Sequence, residues 1–371
     1  MKTVLLVLGT RPEAVKLAPV WRELKRRSRA FKTLVCVTGQ HRELIYPMLH
    51  FFGMEPDIDL KLMRKNQTLP DLTARLIPAL DSVYRKLQPD WVLVQGDTTT
   101  VMAAALAAYY RRIQVGHVEA GLRTDDKYAP FPEEINRRMA GVLADIHFTP
   151  TSIASARLRK EGIAPSRICL TGNTVVDALQ WTLKKNMRAS PALPPDWPRI
   201  TKGRKLILVT GHRRENFGAG MENMARAFRD ISEQLPDTDI VYPVHLNPNV
   251  RKPMHKILGG CDRIHLIEPV DYPVMVKLLK SAWLVLTDSG GIQEEAPTFG
   301  LPCLILRDMT ERPEGIQAGV AQLVGTGQES IVRAVIHLYR HPDRYRKMAL
   351  GKNPYGDGKA ALRIVDWLEQ S

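Results

Sequence analysis

The segment 283–306 combines residue types that can bind an anion. Its apolar run Leu284–Leu286 predicts a buried parallel strand, and Ser289, Gly290 and Gly291 follow at the strand end. A strand, a glycine turn and a helix N-terminus together favour phosphate, because unpaired N–H groups and the helix dipole attract negative charge. An ordinary turn between a strand and a helix explains the glycines equally well, so this segment alone leaves both interpretations open.

Three carboxylic acids in the first half of the chain follow predicted strands or open a predicted helix. Asp97 comes after the strand Trp91–Gln95, Glu119 comes directly after another apolar strand, and Glu133 opens a helix. Each also has a purely structural explanation. Asp97 can cap a helix, Glu119 can be solvated or paired, and Glu133 suits the dipole at a helix N-terminus. If the three converge at neighbouring strand ends, they can raise one pKa and keep another carboxyl ionised, as acid–base chemistry requires.

Basic and polar residues follow the first two predicted strands. Arg11 and Lys16 come after the first strand and are candidates to meet an anion, with Arg11 nearer the strand end. Both are also explained as surface charges on an exposed first helical turn. Gln40, His41 and Arg42 come after the second strand and predict either a polar-ligand site or the entry of a helix.

The second half of the chain carries further candidates for an anion site. His212 and Arg213 follow a strand and a glycine, although His212 is also explained as a core histidine. His245 lies at another polar strand end. Arg312 follows the last strand of the segment 283–306, and a guanidinium group can bind two phosphate oxygens at once.

The elements that must position these residues alternate between strand and helix. The predicted strands are Thr3–Leu8, Thr33–Thr38, Trp91–Gln95, Gln114–Val118, Ile146–Thr149, Arg167–Thr171, Leu206–Thr210, Ile240–Val244, Ile264–Ile267, Leu284–Thr287, Cys303–Leu306 and Gln322–Val324. Predicted helices include Ala14–Lys25, Leu69–Lys86, Val101–Tyr110 and Glu133–Leu143. Repeated strand-then-helix order predicts an α/β fold of parallel sheets with helices on both faces.

A proline-rich stretch, 186–203, interrupts this order and predicts a linker. It would separate an N-terminal domain, 1–185, from a C-terminal domain, 204–354, and we expect the C-terminal helix within 355–371 to join the first domain. Two halves of similar pattern predict two Rossmann-like domains that face each other across a cleft. In such sheets ligands bind beyond the carboxyl ends of the strands.

The composition is that of a globular protein, and it excludes several classes. The net charge of +14 is spread along the chain without a nucleic-acid recognition motif, which favours a basic surface plus an anion-binding cleft. No apolar run approaches the length of a membrane span, and the one near the N-terminus is too short for a signal peptide. The isolated cysteines predict reduced thiols in a cytoplasmic protein. We find no GxGxxG, Walker loop, GxSxG or metal-ligand spacing, so neither a nicotinamide nor a metal site is indicated.

Several strings together resemble the non-hydrolysing UDP-N-acetylglucosamine 2-epimerases. They are GTRPEAVKLAPV, TGQHRE, GDTTT, GHVEAGLRT, PFPEEINRR, TGNTVVDAL, VTGHRRENFG, YPVHLNPNV, TDSGGIQEEAP and RDMTERPE, with NPYGDG near the end. The resemblance implies a two-domain fold of the GT-B type, a homodimer, and UDP held mainly by the second domain. It implies reversible conversion of UDP-GlcNAc to UDP-ManNAc through 2-acetamidoglucal, without NAD or metal, for surface polysaccharide synthesis.

The resemblance also implies roles for individual residues. The acid–base candidates are Asp97, Glu119 and Glu133. The departing phosphate would meet Arg11, His212 and the N–H groups of Ser289, Gly290 and Gly291, while Glu295 would bind the ribose and Arg312 the anionic part of the substrate. Met275 stands where the family commonly has a phenylalanine against the uracil, so base stacking should be weaker.

Several members of that family have a second, allosteric UDP-GlcNAc site. By similarity its residues are Gln40, Arg42, Gln67, Glu134, Arg213 and His245, although Lys65 and Asn66 depart from the usual pattern beside Gln67. Three other functions fit part of the chain: a hydrolysing epimerase that releases ManNAc, a GT-B glycosyltransferase, and an inactive nucleotide-sugar sensor.

Overall fold

The computed structural model describes residues 1–39, 42–64, 67–188 and 203–371. These residues form two compact units. The first contains Met1–Ala178 and Tyr355–Ser371, and the second contains Leu179–Pro354. Gln40, Lys65, Asn66 and most of the predicted linker lie outside the described residues.

The first unit is built on a parallel sheet of seven strands. In chain order they are β1 (Lys2–Leu8), β2 (Phe31–Val37), β3 (Ile58–Asp59), β4 (Trp91–Gln95), β5 (Gln114–Val118), β6 (Ile146–Thr149) and β7 (Ile168–Leu170). Their order across the sheet is β3-β2-β1-β4-β5-β6-β7, and every pairing is parallel. The central strands β1 and β4 are almost wholly buried, because helices cover the apolar runs that form them.

The helices of this unit begin and end at recognisable signals. They are α1 (Arg11–Arg26), α2 (Arg42–Phe52), α3 (Leu69–Leu87), α4 (Thr99–Tyr110), α5 (Glu133–Leu143), α6 (Ser152–Lys160), the start of α7 (Thr174–Arg188), and a final helix, Ala360–Gln370. Thr68 and Asp71 form a reciprocal capping box at the start of α3, and Gln88 ends that helix in the left-handed conformation. The helix α7 runs past the predicted start of the linker at Asn186.

The second unit repeats the design with six parallel strands. They are β8 (Lys205–Thr210), β9 (Thr238–Pro243), β10 (Ile264–Ile267), β11 (Leu284–Thr287), β12 (Cys303–Ile305) and β13 (Ala321–Leu323), in the order β10-β9-β8-β11-β12-β13. The helices that follow α7 are α8 (Ala219–Gln234), α9 (Pro248–Leu258), α10 (Tyr272–Ser281), α11 (Gly290–Glu295), α12 (Pro313–Gln317), α13 (Gln328–Arg340), α14 (Pro342–Ala349) and, in the first unit, α15 (Ala360–Gln370).

The helix α11 is short, as the proline after it predicts. It ends at Glu295, and a 3-10 turn over Ala296–Phe299 continues the chain to Gly300, which has a φ of 60°. A side chain on Gly300 would press against the carbonyl of Ala349, so only glycine suits this turn. After this turn the chain enters β12, which pairs with β11.

The C-terminal helix α15 packs on the sheet of the first unit. The Trp367 ring makes edge contacts with Trp91 and Phe148, at centroid distances of 5.5 and 5.7 Å. The Asp177 carboxylate of α7 accepts hydrogen bonds from the N–H groups of Ala360 and Ala361. It thereby satisfies two N–H groups at the N-terminus of α15. None of the described helices is long and apolar enough to cross a membrane.

Candidate active site

Glu119 lies at the carboxyl end of β5 and is bonded by three side chains. Lys16 and Asn173 donate to its Oε1, the latter at 3.0 Å, and Gln95 donates to its Oε2. The residue is 8% exposed and has a φ of 65°, which is uncommon for a residue with a side chain. Three donors, one of them a cation, suit a negatively charged carboxylate that can accept a proton.

Asp97 lies at the end of the neighbouring strand and keeps part of its surface exposed. Its Oδ2 is 2.7 Å from a guanidinium nitrogen of Arg137, and its carbonyl accepts a hydrogen bond from Asn136 at 3.0 Å. The interpretation of Asp97 as a helix cap is wrong, because Thr98 occupies that position and accepts from the N–H of Val101. The Asp97 side chain is 27% exposed, so it can be reached from solvent while it stays paired.

The two glutamates that open α5 have different surroundings. Glu133 is the first residue of the helix and is half-buried. Glu134 is fully buried, and its carboxylate accepts from the N–H of Thr124 at 3.1 Å and from Arg138 at 2.8 Å, with Arg137 at 3.5 Å. A ligand at Glu134 would therefore have to displace a bonded partner.

Arg11 and Lys16 have separate environments although both belong to the start of α1. Arg11 is exposed at the first helical position. Lys16 is 7% exposed and its ammonium group is bonded to Glu119. Lys16 therefore supports the carboxylate, whereas Arg11 remains accessible to an anion.

Glu13 is a buried acid that the sequence patterns did not distinguish from an ordinary first-turn glutamate. It accepts from the N–H of Gly9 at 3.0 Å and from the hydroxyls of Thr10 and Thr98 at 2.6 and 3.0 Å. Burial raises the pKa of Glu13 to about 7, against the lowering effect of these hydrogen bonds. The carboxyl group joins the loop before Arg11 to the loop after Asp97.

In the second unit, Ser289 lies at the N-cap of α11 without a side-chain capping bond. Its own N–H donates to the hydroxyl of Thr287 at 2.9 Å. A Cβ on Gly290 would overlap the guanidinium of Arg312, so a larger residue there would displace the arginine side chain. The predicted strand, glycine turn and helix start are all present.

Arg312 is nearly buried beside Gly290 and is bonded to two carboxylates. Its Nε donates to Glu294 at 2.6 Å, and a second guanidinium nitrogen donates to Glu311. Although burial opposes it, Arg312 and Arg307 hold the pKa of Glu311 well below its ordinary value. A phosphate at Arg312 would have to compete with both acids.

The predicted residues His212, Arg213 and His245 lie together after β8 and β9. The rings of His212 and His245 are stacked, with centroids 5.4 Å apart and planes 16° apart. Arg213 is 3.7 Å from the Glu311 carboxylate. The structure thus places one predicted catalytic residue against two residues predicted for a second ligand site.

The remaining residues that the sequence predicts for the substrate site or the allosteric site have varied surroundings. Met275 is half-buried on α10 and packs on the apolar cluster below it. Glu295, predicted to bind ribose, is buried at the end of α11. The Gln67 side-chain oxygen accepts from Arg75 at 2.6 Å. Arg42 is the first residue of α2.

Comparison with known proteins identifies the family. A family model described as UDP-N-acetylglucosamine 2-epimerase matches residues 22–369. The chain belongs to the UDP-N-acetylglucosamine 2-epimerase family. It is 49% identical to the UDP-N-acetylglucosamine 2-epimerase of Escherichia coli K12 over 371 residues, which cover 99% of this chain and 98% of the relative.

Solved structures of UDP-N-acetylglucosamine 2-epimerases share the whole fold. The crystal structure of the Neisseria meningitidis enzyme bound to UDP-GlcNAc matches with a TM-score of 0.95 and 45% identity, over 100% of both chains. The Methanocaldococcus jannaschii enzyme in complex with UDP-GlcNAc and UDP matches with a TM-score of 0.84 and 34% identity, also over 100% of both chains. The α/β fold with two parallel sheets is thereby confirmed as GT-B-like.

Sequence patterns missed the residues that hold the candidate acids of this epimerase in place. Gln95, Arg137 and Asn173 bond to Glu119 or Asp97 from three different elements. Each has an ordinary polar side chain near a strand end or in a helix, so only the fold distinguishes it. Within the described ranges no group of three or more His, Cys, Asp or Glu could hold a metal ion.

Proposed function

We propose that the protein interconverts UDP-GlcNAc and UDP-ManNAc by reversible inversion at C2, without releasing free sugar. The observation that carries the proposal is the bonding of Glu119 to Lys16, Asn173 and Gln95, beside the exposed edge of Asp97. Relatives of known structure bind UDP-GlcNAc or UDP, which supports the substrate class. The product would serve the synthesis of surface polysaccharide.

The proposed reaction is an elimination followed by an addition. The C2 hydrogen leaves as a proton while the bond from C1 to the phosphate oxygen breaks. The products of this elimination are UDP and 2-acetamidoglucal, which has a C1–C2 double bond. Return of the UDP oxygen to C1 with protonation of the opposite face of C2 gives the other epimer. The two faces of C2 need separate acid–base groups, since one side chain reaches only one face.

Asp97, Glu119 and Glu133 are the groups proposed for these proton transfers. The donors around Glu119 keep it ionised, which is the form that can take up a proton, and they fix its orientation. Asp97 is paired with Arg137 but partly exposed, so it can exchange a proton with a ligand.

The second unit would hold the nucleotide. Charge develops on the phosphate oxygen as UDP departs, and preorganised donors stabilise it most effectively. His212 and the N–H groups that follow Ser289 are the proposed donors of this unit, and Arg11, which is exposed, is the cation proposed from the first unit. Glu295 and Met275 are proposed to contact the ribose and the base.

Incubation with UDP-GlcNAc in D2O tests this function. We expect NMR spectra to show UDP-ManNAc with deuterium at C2, without added nicotinamide or metal. Free ManNAc and UDP as the products would establish a hydrolysing epimerase instead. Binding of UDP-GlcNAc without any turnover would contradict the proposal and favour a sensor.

The variants Asp97→Asn and Glu119→Gln test the assigned acids. Both preserve shape and remove the ability to carry a negative charge, so we expect normal folding and turnover reduced by about 100-fold or more. Glu161→Gln is the control, since Glu161 pairs with Arg123 in the same unit outside the proposed chemistry. Near-normal rates in both test variants would rule out their assignment.

We propose that the protein is a homodimer through exposed apolar side chains of the first unit. Tyr109 and Tyr110 of α4 are 60% and 64% exposed, and Val142 of the adjacent α5 is 78% exposed. Ile135 and Met139 continue the same stripe of α5, at spacings of one helical turn. Exposed apolar side chains on two neighbouring helices are typical of an interface between copies of one chain.

A further inference from the structure

Asp288 is a fully buried carboxylate at the end of β11 that none of the roles above uses. Its Oδ2 accepts three hydrogen bonds, from the N–H groups of His212 and Arg213 at 2.9 Å each and from Asn216 at 3.1 Å. This oxygen therefore sets the backbone path of the loop that carries His212.

The other oxygen, Oδ1, has a different environment. It is buried and has no hydrogen bond to any part of the chain that the structure describes. The Nδ1 atom of His212 lies 3.8 Å from it. A buried carboxylate oxygen without a donor is costly, so an N–H group on Nδ1 of the imidazole would relieve that cost.

The imidazole of His212 is also constrained on its face. It stacks on the ring of His245, whose Nδ1 accepts the N–H of Asn247 at 3.1 Å. The backbone bond to Asp288 and this stack restrict the ring to rotation within a narrow range. The His212 side chain is 45% exposed, so a ligand can approach the imidazole from solvent.

We propose that Asp288 is a positioning residue for His212, holding it as an imidazolium whose Nδ1–H points to Oδ1 and whose Nε2–H points to the anionic ligand. This inference rests on the proposed function, in which His212 meets the departing diphosphate. The carboxylate supplies the negative charge that stabilises the imidazolium, and the cationic Nε2–H stabilises charge that develops on phosphate more strongly than a neutral donor.

A purely structural role makes a different prediction. If Asp288 only shapes the loop through Oδ2, an asparagine with the same shape serves equally well, since its carbonyl oxygen can accept the same three hydrogen bonds. Its amide NH2 group would then face Nδ1 of His212 and require that atom to be an acceptor. The variant Asp288→Asn therefore keeps the loop and removes the proton from Nδ1 of His212.

The spectroscopic test uses histidine labelled with 15N, with the His212 signals assigned from their loss in His212→Asn. We expect wild-type His212 to have both ring nitrogens protonated at neutral pH and Asp288→Asn to lose the Nδ1 proton. The control is Asp239→Asn, since Asp239 lies 3.2 Å from Nε2 of His265, and it should alter His265 alone. A neutral imidazole in the wild-type protein, or a His212 that is still doubly protonated in a folded Asp288→Asn, overturns the proposal.

The kinetic test is a double-mutant cycle. We expect Asp288→Asn to lower kcat by about 100-fold in the wild-type background, as loss of a transition-state donor does, and by little in a His212→Asn background. Equal losses in both backgrounds overturn the proposal. If wild-type protein shows no epimerisation, the proposed function has failed. The 15N measurement of His212 protonation needs no substrate and still decides the role of Asp288.

Discussion

The variant Glu13→Gln tests whether a buried acid titrates near neutral pH. Glu13 is 1% exposed, and burial raises its pKa from 4.5 to about 7. The folded protein therefore binds this proton more tightly than the unfolded chain. Stability that is fully present below about pH 4.5 is lost as the pH rises through 7, because unfolding then allows the carboxyl group to ionise in water.

The size of this loss follows from the change in proton affinity. A rise in pKa from 4.5 to about 7 corresponds to about 3 kcal/mol, since each tenfold change in affinity corresponds to about 1.4 kcal/mol. Glutamine has nearly the same shape and does not ionise, so Glu13→Gln removes this dependence on pH. The variant also changes hydrogen bonds to Thr10 and Thr98, but that cost is the same at every pH.

Urea unfolding at pH 5 and pH 8 measures the effect. We compare the free energy of unfolding of Glu13→Gln with that of wild type at each pH. The difference should increase by most of about 3 kcal/mol between pH 5 and pH 8. Glu55→Gln changes the same group at an exposed position of the same unit and should show no such increase. A difference between Glu13→Gln and wild type that stays constant across this range would refute a raised pKa at Glu13.

Three further predictions concern the first unit. Asn173→Ala removes a donor from Glu119, so kcat should fall by roughly tenfold with little change in KM, as steady-state kinetics will show. Burial lowers the pKa of His117 to about 4 and of His147 to about 3. The stability that these neutral histidines contribute is present above pH 6.5 and is lost as the pH falls through those values. Urea unfolding of His147→Phe should therefore show a smaller loss of stability at acid pH than wild type. Val142→Glu should yield a monomer in sedimentation velocity, whereas Leu350→Glu, at an equally exposed leucine, should not.

Apolar runs between polar turns predicted the fold closely. The strands Trp91–Gln95, Gln114–Val118, Ile146–Thr149, Ile264–Ile267 and Leu284–Thr287 and the helix Glu133–Leu143 have the predicted ends. Trp91–Gln95, Ile146–Thr149 and Leu284–Thr287 are buried along their whole length, so their boundaries coincide with the apolar run itself. The strand β3, Ile58–Asp59, was missed because two residues show no periodicity.

Capping residues were harder to predict from types alone. Both Asp97 and Thr98 are good N-caps, and the sequence does not rank them. In the structure Thr98 caps α4, which leaves the Asp97 carboxylate for Arg137. Thr98 is therefore the cap, and Asp97 pairs with an arginine of α5.

The sequence by itself determined the order of the elements, their parallel arrangement and the position of candidate residues at strand ends, because hydrophobic period and turn residues act over a few positions along the chain. Only the tertiary structure decided the partners of each charge. It bonded Lys16 and Asn173 to Glu119, buried Glu13 between two loops, and paired Arg312 with two carboxylates. Such pairing depends on distance and desolvation, and both arise only when segments far apart in the chain are packed together.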